Sequence, residues 1–231
     1  EDNSLRNLFA LTNPSVQNNV FIDSYDYYIY LTDKSNNYIG VSINSNTKVI
    51  INKTIFLRAS TLSLYSIIRI NDAENVVIDG SGQIIGESLI HTGSGGEWGF
   101  GIEVAGDSAN VTISGLTIKN CWGDSIYINA KGNIDIDNCV LYGSRRQGIS
   151  VTNGYNIRIS NCEISYILGT EPRFAIDIEP NNNEVVKNVL IDNIKAHHCK
   201  GGISIVSVAT NAIVCNVVVI NECGRKVIYN N

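Results

Sequence analysis

One short phrase recurs along the chain at nearly constant spacing: Gly101-Ile102-Glu103-Val104, Ser125-Ile126-Tyr127-Ile128, Gly148-Ile149-Ser150-Val151, Ala175-Ile176-Asp177-Ile178 and Gly202-Ile203-Ser204-Ile205. Successive first isoleucines lie 24, 23, 27 and 27 residues apart. A period of that size marks stacked units, none of which can bury its apolar face alone. Within each phrase apolar residues alternate with a variable one, as in a strand with one buried face. The repeat predicts a solenoid, and the variable positions locate a surface.

A second repeat fixes the turns. Asn75, Asn110, Asn133, Asn156 and Asn188 form one column, and Gly80, Gly115, Asn138, Asn161 and Asn193 form another. Asn and Gly recur where a backbone must adopt positive φ, and stacked side-chain amides can hydrogen-bond from rung to rung. Parallel strands in a wound sheet, with three prolines and almost no helical periodicity, give an all-β, single-stranded right-handed parallel β-helix. A β-sandwich would instead show hairpin turns every ~8 to 12 residues and no stacking of like residues. Residues 1–35 lack the repeat, carry Tyr25, Tyr27, Tyr28 and Tyr30, and are expected to cap the open end; residues 36–231 form the helix.

Five of the six cysteines fall into the repeat. Cys139 and Cys162 share a column with Leu116 and Ile194, and Cys121 and Cys199 share one with Ser144 and Ile167; Cys223 joins the latter if the last coil slips by one residue. Cysteines that trade places with Leu and Ile read as buried thiols. Neighbouring rungs lie ~4.8 Å apart, within disulfide range, so a Cys139–Cys162 bridge stays open. No CxxC or Cys/His spacing points to a metal site.

A net charge of −5 without a Lys/Arg cluster argues against nucleic acid and anionic membranes as partners. No apolar run is long enough for a spanning helix, so membrane insertion is not expected. The chain has no methionine, which implies a mature form or a piece of something longer.

Departures from the repeat point to function. One strand, Ala175-Ile176-Asp177-Ile178, is flanked on both sides by extra loop: Gly169-Thr170-Glu171-Pro172-Arg173 before it and Pro180-Asn181-Asn182-Asn183 after it. Insertions in solenoids cluster on the binding face. Asp177 and Glu179 stand at i and i+2 on this strand, on one face with Cα atoms ~6.6 to 7 Å apart, a spacing that suits the two carboxyls of an inverting glycosidase. A solvated strand face and a calcium site built from Asp177, Glu179 and Asn181 are the other readings of this strand.

The columns before each strand add partners. Trp98 and Trp122 fall on consecutive rungs beside Arg145, Arg146 and Arg173, with Asp124 and Gln147 one column further on. Indole faces suit sugar rings and guanidinium forks bind carboxylates, so an acidic sugar is the ligand expected; pairing of these arginines with Glu97, Glu171 and Asp177 is the structural alternative. Glu103 and Tyr127, outward in the first two phrases, complete the proposed binding surface, with Asp124 as a third candidate acid. His91, His197 and His198 fall off this strand face.

The stretches Asn75-Val76-Val77-Ile78-Asp79-Gly80-Ser81-Gly82, Gly96-Glu97-Trp98-Gly99, Asn120-Cys121-Trp122-Gly123-Asp124, Arg145-Arg146-Gln147-Gly148-Ile149-Ser150 and Ile176-Asp177-Ile178-Glu179-Pro180-Asn181 resemble the pectate-lyase-like superfamily. More narrowly, they resemble the polygalacturonase-related β-helix proteins of bacterial surfaces and phage tailspikes. The resemblance spans roughly residues 40–210. It implies a polysaccharide as partner, an extracellular, cell-surface or virion location and a homotrimeric spike. The activity implied is a glycoside hydrolase or polysaccharide lyase, with a noncatalytic carbohydrate-binding or adhesive module as the alternative. Polygalacturonases carry Asn-Thr-Asp, Asp-Asp, Gly-His-Gly and Arg-Ile-Lys elements; here Gly123-Asp124-Ser125 keeps one Asp, Gln147-Gly148 replaces His-Gly and no Arg-Ile-Lys follows, which points away from pectin.

Overall fold

The computed structural model describes residues 2–31, 38–206, 210–219 and 225–230, and Cys223 lies outside them. The strands coil into three parallel walls, each strand paired with its equivalent one turn later. One wall begins with Asn18–Ile22, Thr47–Ile51 and Glu74–Asp79 and continues through the second halves of the long strands Trp98–Ser114, Ile126–Asp137 and Ile149–Ser160. A second runs Tyr27–Ile29, Thr54–Leu57, Gln83–Ile85, Thr117–Lys119, Val140–Tyr142 and Glu163–Ile167. The third runs Ile39–Ile43, Leu64–Asn71, the first halves of the same long strands, Phe174–Ile178 and Gly201–Val206.

The recurring phrase is the third wall. Ile102, Ile126, Ile149, Ile176 and Ile203 stack in register, as do Val104, Ile128, Val151, Ile178 and Ile205, and all are buried. Each such side chain contributes roughly 1.5–3 kcal/mol by leaving water. The expected right-handed parallel β-helix is what the chain forms. Cys121, Cys139, Cys162 and Cys199 are buried free thiols within it, and no Cys139–Cys162 bridge forms.

The asparagine column is realised as an amide ladder. Asn75, Asn110, Asn133, Asn156 and Asn188 all have φ between 54° and 59°. The Nδ2 of Asn110 donates to Asn75 Oδ1 at 3.2 Å, that of Asn133 to Asn110 at 3.0 Å, that of Asn156 to Asn133 at 3.0 Å and that of Asn188 to Asn156 at 3.0 Å. Asn46 extends the ladder by one rung.

The strand ladder starts at Asn18, inside the segment expected to act as a cap. What covers the end is a helix, Asp2–Ala10, which seats Leu5 and Phe9 on the core at 1% and 3% exposure. Its Arg6 donates to the carbonyls of Gly40 at 2.7 Å, Tyr30 at 2.9 Å and Ile39 at 3.2 Å, satisfying edge groups that another rung would otherwise pair. Of the four tyrosines, Tyr27 is buried, whereas Tyr25, Tyr28 and Tyr30 are exposed.

Candidate functional site

The outward column of the third wall reads Arg69, Glu103, Tyr127, Ser150, Asp177 and Ser204 in strict register. Unlike residues stack here, and at its centre lies a small cleft of about 90 Å³. Asp177, Glu179 and Asn181 form one side, Arg146, Gln147, Ser150 and Thr152 the floor, and Trp98 and Tyr127 the aromatic edge. The inserted loop belongs to this cleft: Glu179 N bonds to Val151 O at 2.9 Å and Asn181 N to Thr152 O at 3.2 Å, so the rung pairing runs on past the strand end.

The two carboxylates of the strand differ in environment. Asp177 is 3% exposed and accepts a 2.6 Å hydrogen bond from Gln147 Nε2, whereas Glu179 is exposed. Burial raises the Asp177 carboxyl above the ordinary carboxylate range and the Glu179 charge adds to this, while the hydrogen bonds from Gln147 and Ser204 oppose it. Such a group holds its proton to higher pH than a surface aspartate.

Asp124 is fully buried and sits behind the cleft rather than in its lining. Burial pushes its carboxyl up to about 6, against the pull of Arg146 and of the Ser150 hydrogen bond. Ser150 Oγ donates to Asp124 at 2.8 Å and Arg146 Nη1 lies 3.3 Å away. Arg146 also approaches Glu97 at 3.4 Å, so the cleft's cation is held between two carboxylates. Asp124 therefore positions Arg146 and Ser150, in place of the acid role expected for it. Tyr127 stacks on Phe100, centroids 4.5 Å apart, and accepts a 3.0 Å hydrogen bond from Thr152 Oγ1. Trp98 is 50% exposed, with ring surface available to a ligand.

Four residues expected to bind substrate are engaged elsewhere. Trp122 has both faces covered, by the His91 ring at 3.6 Å and by the Arg145 guanidinium at 3.7 Å, so no sugar can stack on it. His91 is held by the buried Glu87 at 2.7 Å, which also accepts a 2.8 Å hydrogen bond from Tyr65. Arg145 donates to the carbonyl of Trp122 at 2.8 Å, to Thr170 Oγ1 and to Gly96 O, tying two loops together. Arg173 bonds to Glu171 at 2.6 Å, and Lys200 meets the other Glu171 oxygen at 2.5 Å. Glu103 pairs with Arg69 at 3.1 Å and accepts a hydrogen bond from Ser66. None of these four lines the cleft.

Ser150 and Thr152 line the cleft but were not singled out from the sequence, although their outward alternation in Ser150-Val151-Thr152 is the signal that places them there. His197 and His198 lie off the cleft, bonded to each other at 2.8 Å, with His197 at 3.0 Å from Glu163. Among the described residues no group of three His, Cys, Asp or Glu side chains is arranged around a metal position. No helix among the described residues is long and apolar enough to cross a membrane.

Comparison with known proteins agrees with this architecture. The protein YclG of Bacillus subtilis is 33% identical over 162 residues, which are 61% of this chain and 27% of YclG, so the chain spans about a quarter of that relative. The tailspike protein of E. coli bacteriophage HK620, solved in complex with a pentasaccharide, superposes with a TM-score of 0.69 at 16% identity, covering 92% of this chain and 40% of the tailspike. Tailspike gp49 of the Acinetobacter baumannii bacteriophage Fri1, a capsular polysaccharide depolymerase, superposes with a TM-score of 0.60 at 15% identity, covering 90% of this chain and 43% of gp49. The model of the right handed beta helix region matches residues 100–231, more than half of the sequence, and the chain belongs to that family.

Proposed function

We propose that this chain is the glycan-cleaving β-helix of a polysaccharide depolymerase, acting by hydrolysis in the cleft beside Asp177. The observation that carries it is the pairing, on one strand end, of a shielded carboxyl held above the ordinary carboxylate range with an exposed carboxyl two residues on. Glycoside hydrolysis needs that asymmetry: one carboxylic acid protonates the leaving oxygen and one carboxylate activates water. Asp177 takes the first role and Glu179 the second. Trp98 and Tyr127 offer ring surface, while Ser150, Thr152 and Gln147 orient hydroxyls. A lyase would need an arginine or lysine base; Arg146 is held by Asp124 and Glu97, and Arg145 and Arg173 stand outside the cleft. Extracellular or virion placement belongs to the same proposal, supported by the fold shared with the two tailspikes, and assembly as a homotrimer is proposed with it.

A binding-only module is the second reading, favoured by the depth of Asp177, whose Oδ2 is already occupied by Gln147. One experiment separates the two. The purified chain is incubated with a panel of bacterial capsular polysaccharides while bound glycan and new reducing ends are followed, along with ultraviolet absorbance from unsaturated uronates. Hydrolysis gives reducing ends without absorbance, and Asp177→Asn and Glu179→Gln each lower the rate by ~10²–10⁴-fold. Binding without product selects the module; reducing ends with absorbance select a lyase.

A further inference from the structure

A second cleft, of about 340 Å³, lies directly beyond the first. The two share a wall: Thr152 lines the acidic cleft while its neighbour Asn153 lines the other, and the stretch 179–187, which contains the insertion, gives Glu179 and Asn181 to the first and Val185 and Lys187 to the second. That segment is pinned between them. Glu184 N bonds to Asn181 O at 3.0 Å, Asn129 Nδ2 donates to Glu184 Oε1 at 2.9 Å, and Val185 N donates to Asn153 Oδ1 at 3.4 Å.

The chemistry of the second cleft differs in sign. Lys131 and Lys187 both line it, both are exposed, and neither has an ion-pair partner among the described residues. By contrast Arg146, Arg158, Arg173, Lys195 and Lys200 are all paired. The one carboxylate in the lining, Asp107, lies beyond ion-pair distance of either lysine, so the cleft carries a net positive charge. Between the lysines stands Tyr155, registered with Lys187 on one rung and Gly132 on the other. Its ring lies against the Gly132 backbone, where a Cβ would come within 3.0 Å of two ring carbons, and the residue is 39% exposed and lines the cleft. An aromatic ring backed by a glycine and flanked by two unpaired ammonium groups matches a sugar ring that carries an anionic substituent.

From these observations we infer that the Lys131–Tyr155–Lys187 cleft binds an anionic sugar residue of the glycan whose neighbouring, uncharged residue occupies the Asp177–Glu179 cleft. The inference rests on the proposed glycan function and specifies its substrate class. It also relocates the acidic-sugar recognition expected of the arginines. The Glu179 carboxylate repels an anion from the first cleft, where Arg146 is already held by Asp124 and Glu97, whereas the lysines attract one beside it. An ammonium is a point charge without a fixed fork, so a uronate carboxylate and a sugar phosphate are both accepted.

The test uses the full chain, the Lys131→Ala/Lys187→Ala variant and a Lys187→Glu variant, which are surface changes on a fold held elsewhere. Binding is measured to a panel of purified capsular polysaccharides, untreated, with uronates reduced to alcohols, and with phosphates removed. The expected result is that the parent binds an anionic glycan at least tenfold more tightly than its neutralised form. The double variant loses that preference, Lys187→Glu weakens anionic binding further, and binding of the neutralised glycan is unchanged. Sensitivity to carboxylate reduction or to dephosphorylation identifies the anion. If the variants bind the anionic glycan as the parent does, or the parent prefers neutral glycans, the lysine site is wrong while the glycan function stands. If the parent binds no glycan at all, the proposed function fails and this site with it.

Discussion

Two outward columns of the same solenoid could hardly differ more. At one corner Asn75, Asn110, Asn133, Asn156 and Asn188 repeat one residue in one conformation, each amide bonded to the next. On the third wall Glu103, Tyr127, Ser150, Asp177 and Ser204 occupy equally regular backbone positions with no two neighbours alike. The first column solves a problem that every coil shares, turning the backbone at positive φ while satisfying its own polar groups. The second solves no folding problem, so its residues are free to differ, and burial of Asp177 and Asp124 there is a cost to stability. Uniform columns hold the helix together; the mixed column is where chemistry can be placed.

The sharpest way to expose that cost is pH. Burial raises Asp124 from 3.8 to about 6, so between those values the native state binds more protons than the unfolded chain and stability falls as pH rises. At 1.36 kcal/mol per unit the penalty is roughly 3 kcal/mol once pH exceeds 6, and Asp177 contributes with the same sign. Urea unfolding of the parent between pH 4 and 7 should show this decline, and Asp124→Asn should flatten it. An equal slope in the variant would place the titration elsewhere.

The asparagine column answers to a different substitution. Asn133→Ala forces a Cβ-bearing residue without a side-chain acceptor into φ 54° and removes two amide bonds, for a loss of about 2 kcal/mol. Asn133→Gly keeps the backbone conformation and should lose about half as much, a difference readable in denaturant midpoints. Glycan binding should be untouched in both.

The smallest effect is the most specific. Gln147 holds the Asp177 carboxyl down by donating to it, so Gln147→Leu should raise that group further. If Asp177 is the proton donor, the alkaline limb of the rate profile moves to higher pH in this variant. A limb that stays in place would leave Asp177 without an acid role.

Much of this was legible because it repeats. The isoleucine phrases gave the third wall, the Asn and Gly columns gave the corners, and the paired insertions around Ala175–Ile178 marked the strand that carries the cleft. The helix Asp2–Ala10 was not read, although Leu5, Leu8 and Phe9 have helical spacing, because a single turn-and-a-half of pattern is weak beside a long repeat. Trp122 and Arg145 fall on the rungs expected, but their contacts, His91 for the first and Gly96 and Thr170 for the second, sit in irregular loops whose paths no column predicts. Arg173 takes the structural alternative that the sequence offered, pairing with Glu171. Asp124 could not be told from a cleft residue because burial behind a wall leaves no periodic trace.

The most direct test sets one residue from each column side by side: Glu179→Gln and Asn133→Ala, each measured for melting temperature and for release of reducing ends from a capsular polysaccharide that the parent cleaves. The division of labour described above predicts a crossed result. Glu179→Gln melts with the parent and loses ~10²–10⁴-fold in rate, while Asn133→Ala melts lower and, below its melting range, cleaves at the parent rate. Two variants that fail together in rate and stability, or a Glu179→Gln variant with parental activity, would contradict it.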